Sequence, residues 1–113
     1  PSADHGAAEI GEILAEAPYG TVLYDHWYSW QWRYHLFDKK VYVSWFPDPD
    51  ALVRDLEVFG DDDDRRYLVL PTSNQALPVQ RALKEASFIL EPVHEAGGNG
   101  EDPGIALYLI RRS

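Results

Sequence analysis

Three polar residues in the N-terminal half have the side-chain types of a nucleophilic triad. Asp25 and His26 are adjacent, and Ser44 lies in the next apolar run. A serine activated by a histidine, itself oriented by a carboxylate, attacks acyl groups. However, Ser44 lacks the Gly-x-Ser-x-Gly elbow, and two adjacent residues have poor geometry for orienting an imidazole. A hydrolase is therefore the weakest candidate function, and a helix-capping role for Asp25 is favoured.

Metal and nucleotide sites have no recognisable pattern in this sequence. The chain has no cysteine, and its histidines lack ligand spacing such as His-Glu-x-x-His. The acidic run 61–64 lacks the spacing of an EF-hand loop, so it is predicted to be a solvated loop. No glycine-rich phosphate-binding motif follows an apolar run. We therefore predict no metal site and no cofactor.

Aromatic residues are concentrated in segment 21–38, where a helix is predicted over 26–37. One face of this helix carries residues at i, i+3, i+7 and i+10, and we expect it to form core: Trp27, Trp30, Tyr34 and Phe37. Nearly opposite lie Tyr28, Trp32 and His35, at i, i+4 and i+7. Exposed Trp and Tyr suit sugar stacking, protein interfaces and the membrane belt. We expect this second face to be exposed and functional, unless a neighbouring helix covers it.

The elements that position these residues alternate between helix and strand. A first helix is predicted from a cap at Ser2 or Asp4 to about residue 17, and further helices over 26–37, 50–59 and 75–86. Strands are predicted over 21–24, 41–45, 67–70, 88–95 and 105–111. This order predicts an α/β fold with three αβα layers and a mostly parallel sheet of about five strands, ending in an antiparallel hairpin. The first strand should lie between the second and the third, in parallel with both.

Ligands of open α/β sheets bind at the carboxyl ends of the strands. Three runs are expected at this edge: Asp25-His26-Trp27, Ser44-Trp45-Phe46 and Thr72-Ser73-Asn74. Five of their residues are candidates for binding: Asp25, His26, Trp45, Ser73 and Asn74. Together with Tyr28, Trp32 and His35, they are the candidate binding or interface residues. For Ser73, a capping role is the alternative.

Length and charge narrow the class of protein. A chain of 113 residues has the length of a single domain. Its net charge of −9 disfavours nucleic acid and anionic lipid as main partners. No apolar run approaches the roughly 20 residues of a membrane span. The chain begins at Pro1 and contains no methionine. We therefore expect a single domain, 1–113, excised from a larger protein.

Three runs of the chain resemble a known family: VLYDHWYSWQWRYHLFD from Val22, VYVSWFP from Val41, and YLVLP from Tyr67. Together they resemble the soluble C-terminal domain of bacterial multi-spanning glycosyltransferases of the GT-C superfamily, related to dolichyl-phosphate-mannose–protein mannosyltransferases. The resemblance covers nearly the whole chain and rests on aromatic runs and element order. No catalytic signature is part of it.

The resemblance implies a parent enzyme that transfers a sugar from a polyprenyl-phosphate donor at the outer face of the cell membrane. Its catalytic acidic residue would lie in an early loop between membrane helices, so no catalytic residue is carried over to this chain. The implied role is an extracytoplasmic accessory domain, inactive alone. Its partners would be the membrane-embedded part of the same polypeptide and an acceptor sugar or protein. The competing prediction is a free-standing carbohydrate or small-ligand binding module.

Overall fold

The computed structural model of the chain describes residues 2–28, 32, 36, 40–59, 65–97 and 104–112. They form three α-helices, a 3₁₀ helix and five strands: α1 Ser2–Leu14, β1 Val22–Asp25, β2 Tyr42–Trp45, α2 Pro49–Phe59, β3 Arg66–Pro71, the 3₁₀ helix Asn74–Ala76, α3 Leu77–Glu85, β4 Phe88–Ala96 and β5 Ile105–Arg112. The α/β class is as predicted. Most of the predicted helix 26–37, including Trp30, Tyr34, His35 and Phe37, lies outside the described residues, as does the acidic run 61–64.

The five strands form one sheet in the order β2-β1-β3-β5-β4. β1 lies between β2 and β3 and is parallel to both, with Leu23 opposite Val43 and Tyr67. This confirms the predicted arrangement of the first three strands, which right-handed crossovers favour. β5 pairs antiparallel with both β3 and β4. The sheet is therefore mixed, rather than mostly parallel as predicted, because β5 is inserted between β3 and β4.

Successive residues of each strand point to opposite faces, and this alternation separates two cores. Leu23, Tyr67 and Val69 belong to what we call the α1-side core. Its remaining buried members are Ala7, Ile10, Leu14, Tyr28, Trp32, Leu36, Ala96, Ile105 and Leu107. The α2–α3 core contains Val22, Tyr24, Phe46, Leu52, Leu56, Leu68, Leu70, Ala76, Val79, Leu83 and Phe88.

The ends of the helices differ from prediction. α1 ends at Leu14, three residues before the predicted end, and continues as a turn in which the Ala17 N–H donates to the Leu14 carbonyl at 3.0 Å. Ile13, Phe59 and Leu77 are apolar residues near the ends of these helices, and they are exposed. Phe59 is the last residue of α2 and Leu77 the first of α3. Terminal positions of a helix have fewer neighbours, so periodicity overestimates their burial.

Gly6 allows α1 to pack directly against the sheet. A Cβ atom at this position would lie 2.1 Å from Ile105 Cγ2 and 3.1 Å from Ala96 Cβ. Any side chain would therefore force α1 away from β5. The absence of a side chain at Gly6 sets the distance at which α1 covers the residues beneath it.

A polar network positions α2 on the other face of the sheet. The Tyr24 hydroxyl donates to Asp55 of α2, and Arg66 Nη1 of β3 donates to the Tyr24 oxygen at 2.6 Å. Burial, followed by the hydrogen bond to Asp55, raises the pKa of Tyr24 above its usual value, so the hydroxyl keeps its proton. This network connects β1, α2 and β3, and it holds α2 beside the end of β2.

Candidate functional site

A cleft opens where β1 and β2 end. Asp25 and Trp45, the last residues of these strands, are opposite each other in the parallel ladder. Beyond them is a cavity of ≈ 230 Å³, which we call the strand-end cleft. Its lining residues come from the ends of β1 and β2 and the starts of α2 and α3: His26, Trp27, Phe46, Pro47, Asp48, Pro49, Gln75, Pro78 and Val79. The cleft lies at the edge where the sequence predicts a ligand site.

His26 is held in one orientation at the side of the cleft. Its Nδ1 atom lies 2.7 Å from the Phe46 carbonyl oxygen. Because a carbonyl oxygen can only accept a hydrogen bond, Nδ1 carries the proton and donates it. In the neutral ring, Nε2 then holds the lone pair, and it has no hydrogen-bond partner among the described residues. His26 therefore offers a hydrogen-bond acceptor to a ligand.

Aromatic rings surround the imidazole. Trp45 stacks on it with ring centroids 5.9 Å apart and planes inclined by 16°. Trp27 meets it edge-on at 5.1 Å, and Phe46 lies 5.6 Å away. Trp45 is 56% exposed, whereas Phe46 is 4% exposed. The cluster thus combines a half-buried imidazole with an open aromatic surface, because rings at the ends of two paired strands are neighbours.

Two helix starts contribute polar groups and prolines. Asp48 accepts the Ala51 N–H at 2.8 Å and α2 begins at Pro49, one residue before the predicted start. Ser73 accepts the Gln75 N–H at 3.4 Å, so its capping role is confirmed. Asn74 is exposed in the same 3₁₀ helix, next to the cleft residue Gln75.

Asp25 is fully buried and bonded to the backbone that follows it. Its Oδ1 accepts the N–H groups of Trp27 and Tyr28, each at 3.1 Å, and Oδ2 accepts the Tyr28 N–H at 3.0 Å. Burial raises the pKa of this carboxyl, although the backbone hydrogen bonds oppose the rise. The carboxylate accepts these N–H groups as predicted, but residues 26 and 27 form a bend, so the predicted helix does not begin at residue 26. Since His26 Nδ1 faces Phe46, Asp25 does not orient the imidazole as a triad would require.

Tyr28 and Trp32 are not on an exposed face. They are only 8% and 3% exposed, and both belong to the α1-side core with Ile10 and Leu14. The prediction that these two residues form an accessible functional surface is therefore wrong. The physical reason is that both side chains pack into one buried cluster with residues of α1 and with Leu23 and Tyr67 of the sheet. His35, the third residue of that face, lies outside the described residues.

The indole nitrogen of Trp32 is buried together with its ring. Nε1 has no partner within hydrogen-bonding geometry among the described residues. It nevertheless lies close enough to Asp25 to favour the ionised carboxylate and to lower its pKa. Burial and then the charge of Asp25 raise the pKa of Tyr28 to about 12. These groups form a polar cluster inside the α1-side core.

Trp27, predicted to be core, is only partly buried and contacts both cores as well as the cleft. Several cleft residues were not predicted as site residues: Phe46, Pro47, Asp48, Pro49, Gln75, Pro78 and Val79. The sequence around Phe46 indicates a turn and a helix start. That this turn meets Pro78 and Val79 depends on α3 lying next to α2, for which the sequence carries no local signal.

Within the described ranges, no helix has the length and apolar character needed to cross a membrane. The same residues contain no group of three or more His, Asp or Glu side chains placed to hold a metal ion. Comparison with protein-family models, with curated proteins and with solved structures finds no match.

Proposed function

We propose that this chain is an extracytoplasmic accessory domain of a membrane glycosyltransferase that uses a polyprenyl-phosphate sugar donor. In this proposal the strand-end cleft binds the acceptor sugar, and the domain is inactive alone. The observation that supports it is the aromatic cluster around His26 at the mouth of the cleft. Aromatic rings stack on the apolar face of a sugar, while a few fixed polar groups bind its hydroxyls.

The resemblance of the three aromatic and apolar runs supplies the enzyme class. The domain would be a three-layer αβα unit that works beside the membrane-embedded part of the same polypeptide, outside the cell membrane. Chemistry would take place in that part, and the domain would shape access of the acceptor. The net charge of −9 makes the isolated domain a poor site for an anionic lipid-phosphate donor.

The polar groups of the site fit binding better than bond cleavage. The Asp25 carboxylate is occupied by backbone N–H groups, and the Nδ1 atom of His26 by a backbone carbonyl. Groups held in this way present a fixed surface to a ligand. Their pairing leaves His26 Nε2 as the one ring nitrogen available to a bound hydroxyl.

The test begins with the complete gene, which should encode many apolar spans upstream of this segment. The full-length protein should transfer sugar from a polyprenyl-phosphate donor, and the purified 113-residue chain should not. In the full-length protein, Trp45→Ala should lower the transfer rate. Tyr19→Ala is the matched control, since Tyr19 is 85% exposed and is not a cleft residue. Turnover by the isolated chain, or a gene without apolar spans, would contradict the proposal.

The second candidate is a free-standing carbohydrate or small-ligand binding module. The same cleft favours it, because aromatic walls and an oriented acceptor are also what a binding module needs. A gene that encodes only domains without membrane spans, together with sugar binding by the isolated chain, would support this candidate over the first.

A further inference from the structure

We infer that the strand-end cleft binds a single neutral sugar ring and discriminates against sugar phosphates. That the cleft binds a sugar ring does not depend on the proposed function. The further statement that this sugar is the acceptor, and not the phosphate-linked donor, rests on it. The starts of α2 and α3, the charge of the lining residues and the size of the cavity each support it.

The carboxyl edge of a parallel sheet normally favours phosphate. Helices that follow the strands begin there, and their free N–H groups and positive dipole ends bind anions. At the start of α2, however, Pro49 has no N–H, and the Ala51 N–H is occupied by the Asp48 carboxylate at 2.8 Å. Asp50 adds a second carboxylate in the first turn. This helix start therefore offers an anion fewer donors and more negative charge.

Backbone N–H groups at the start of α3 are likewise already hydrogen-bonded. The Gln75 N–H donates to the Ser73 hydroxyl, and the Ala76 N–H donates to the Ser73 carbonyl at 3.2 Å. The Leu77 N–H donates to the Asn74 carbonyl, and Pro78 has no N–H. At both helix starts that border the cleft, N–H groups that could bind a phosphate are thus engaged, and a proline removes another.

The charge of the cleft also opposes an anion. Among the described residues that line it, none is Lys or Arg, and Asp48 contributes a carboxylate. A phosphate group would have to approach this carboxylate without a cation to offset the repulsion. A sugar hydroxyl, in contrast, can donate to Asp48, to His26 Nε2 or to the Gln75 amide oxygen.

The size and walls of the cleft suit one ring. Its ≈ 230 Å³ is below the range of about 300–1,000 Å³ for drug-sized ligands. Trp27 and Phe46 supply flat apolar surfaces on one side, and Pro47, Pro78 and Val79 supply smaller ones. Flat apolar walls with three polar groups match a pyranose, which has apolar C–H faces and a polar circumference.

The binding experiment uses the purified chain and pairs of probes that differ in one group. Methyl α-glycosides of glucose, galactose and mannose are each compared with the corresponding sugar 1-phosphate. Binding is followed by tryptophan fluorescence, because Trp27 lines the cleft, and by NMR chemical shifts. We expect at least one glycoside to bind about tenfold or more tightly than its 1-phosphate. Equal or tighter binding of the phosphate in every pair would overturn the inference.

The effect of negative charge on ligand preference is tested with a variant that keeps the N-terminal cap of α2. The double variant Asp48→Asn, Asp50→Asn keeps a side chain at position 48 that caps well, but it removes two negative charges near the cleft. The preference for the glycoside should shrink by about three- to tenfold. An unchanged preference would mean that charge at this helix start does not select the ligand, which would overturn this part of the inference.

Two further variants test the polar contacts. His26→Phe retains a ring against Trp45 but removes both nitrogens, and Gln75→Ala changes an exposed side chain at the cleft. Each should weaken glycoside binding by about tenfold, while Tyr19→Ala should not. If His26→Phe does not fold, Gln75→Ala decides. Unchanged binding by Gln75→Ala and by any folded His26→Phe would place the sugar elsewhere and overturn the site.

Failure of this inference and failure of the proposed function give different results. If no glycoside binds the chain, the sugar site is wrong, whereas the enzyme class still depends on the full-length transfer assay. If a glycoside binds and the gene encodes no apolar spans, the cleft is a sugar site in a protein that is not a membrane glycosyltransferase.

Discussion

Two groups of aromatic residues lie close together in the sequence and differ in environment. Tyr28 and Trp32 are buried in the α1-side core, whereas His26 and Trp27 line an open cleft and Trp45 stacks on His26 beside it. Residue type and spacing are similar in both groups. The difference is that the first group is enclosed together with residues of α1 and of the sheet, and the second lies where two strands end. An aromatic side chain is thus available to a ligand only if no other element covers it.

Asp25 lies at the boundary between these two regions. Its carboxylate is buried with Tyr28 and Trp32, and the next residue, His26, borders the cleft. The hydrogen bonds that the N–H groups of Trp27 and Tyr28 donate to Asp25 fix the path of the chain from one region to the other. The geometry of the cleft therefore depends on a residue that does not line it.

The largest expected effect tests the contrast in burial directly. Trp32→Ala should lower the free energy of unfolding by on the order of 3–5 kcal/mol, because it empties a large site in the core. Trp45→Ala should cost less than about 1.5 kcal/mol, since it removes mainly an exposed aromatic contact. Urea unfolding curves measure both. Similar losses for the two variants would contradict the assignment of core and cleft.

A smaller effect is expected at the boundary. Asp25→Ala should lower the free energy of unfolding by about 1–3 kcal/mol, because buried N–H groups lose their acceptor. Asp25→Asn keeps an acceptor oxygen, and it serves as the matched control. Urea unfolding of the two variants should show the larger loss for alanine. Equal losses would mean that the charge of Asp25, and not its acceptor role, stabilises the chain.

The raised pKa of Asp25 also predicts how stability depends on pH. The folded chain holds the Asp25 proton more tightly than the unfolded chain, so it binds more protons between the unfolded and folded pKa values. The contribution of Asp25 is therefore most favourable below the unfolded pKa and falls as pH rises through the folded pKa. Relative to Asp25→Asn, the natural chain should gain stability as pH is lowered from 7 towards about 4. An opposite trend in urea unfolding would contradict this.

The smallest of these effects tests how closely α1 covers the α1-side core. Gly6→Ala places a methyl group against Ile105 and Ala96, and this crowding should lower the free energy of unfolding by about 1–3 kcal/mol. The higher helix propensity of alanine should offset about 1 kcal/mol of this loss. Gly97→Ala is the matched control, because nothing lies within 4 Å of a Cβ there. It should change stability by less than about 0.5 kcal/mol. A stable Gly6→Ala variant would mean that α1 can shift without cost.

Local features of the fold could be predicted from the sequence. The cap at Ser73 and the parallel order of β2, β1 and β3 are confirmed, and Asp25 accepts the N–H groups of residues that follow it, as predicted. Capping depends on residues within one helical turn, and the strand order follows from short right-handed connections. The location of a cleft at the carboxyl ends of the strands follows from the same topology.

Tertiary structure decided what the sequence left open. The insertion of β5 beside β3 made the sheet mixed, and packing among α1, the sheet and the segment after β1 buried Tyr28 and Trp32. The approach of Pro78 to Phe46 completed the cleft. Each of these depends on which distant elements become neighbours, and an aromatic side chain gains burial energy under whichever element covers it. Periodicity shows that a helix has two apolar faces, but only packing determines which of them remains open to a ligand.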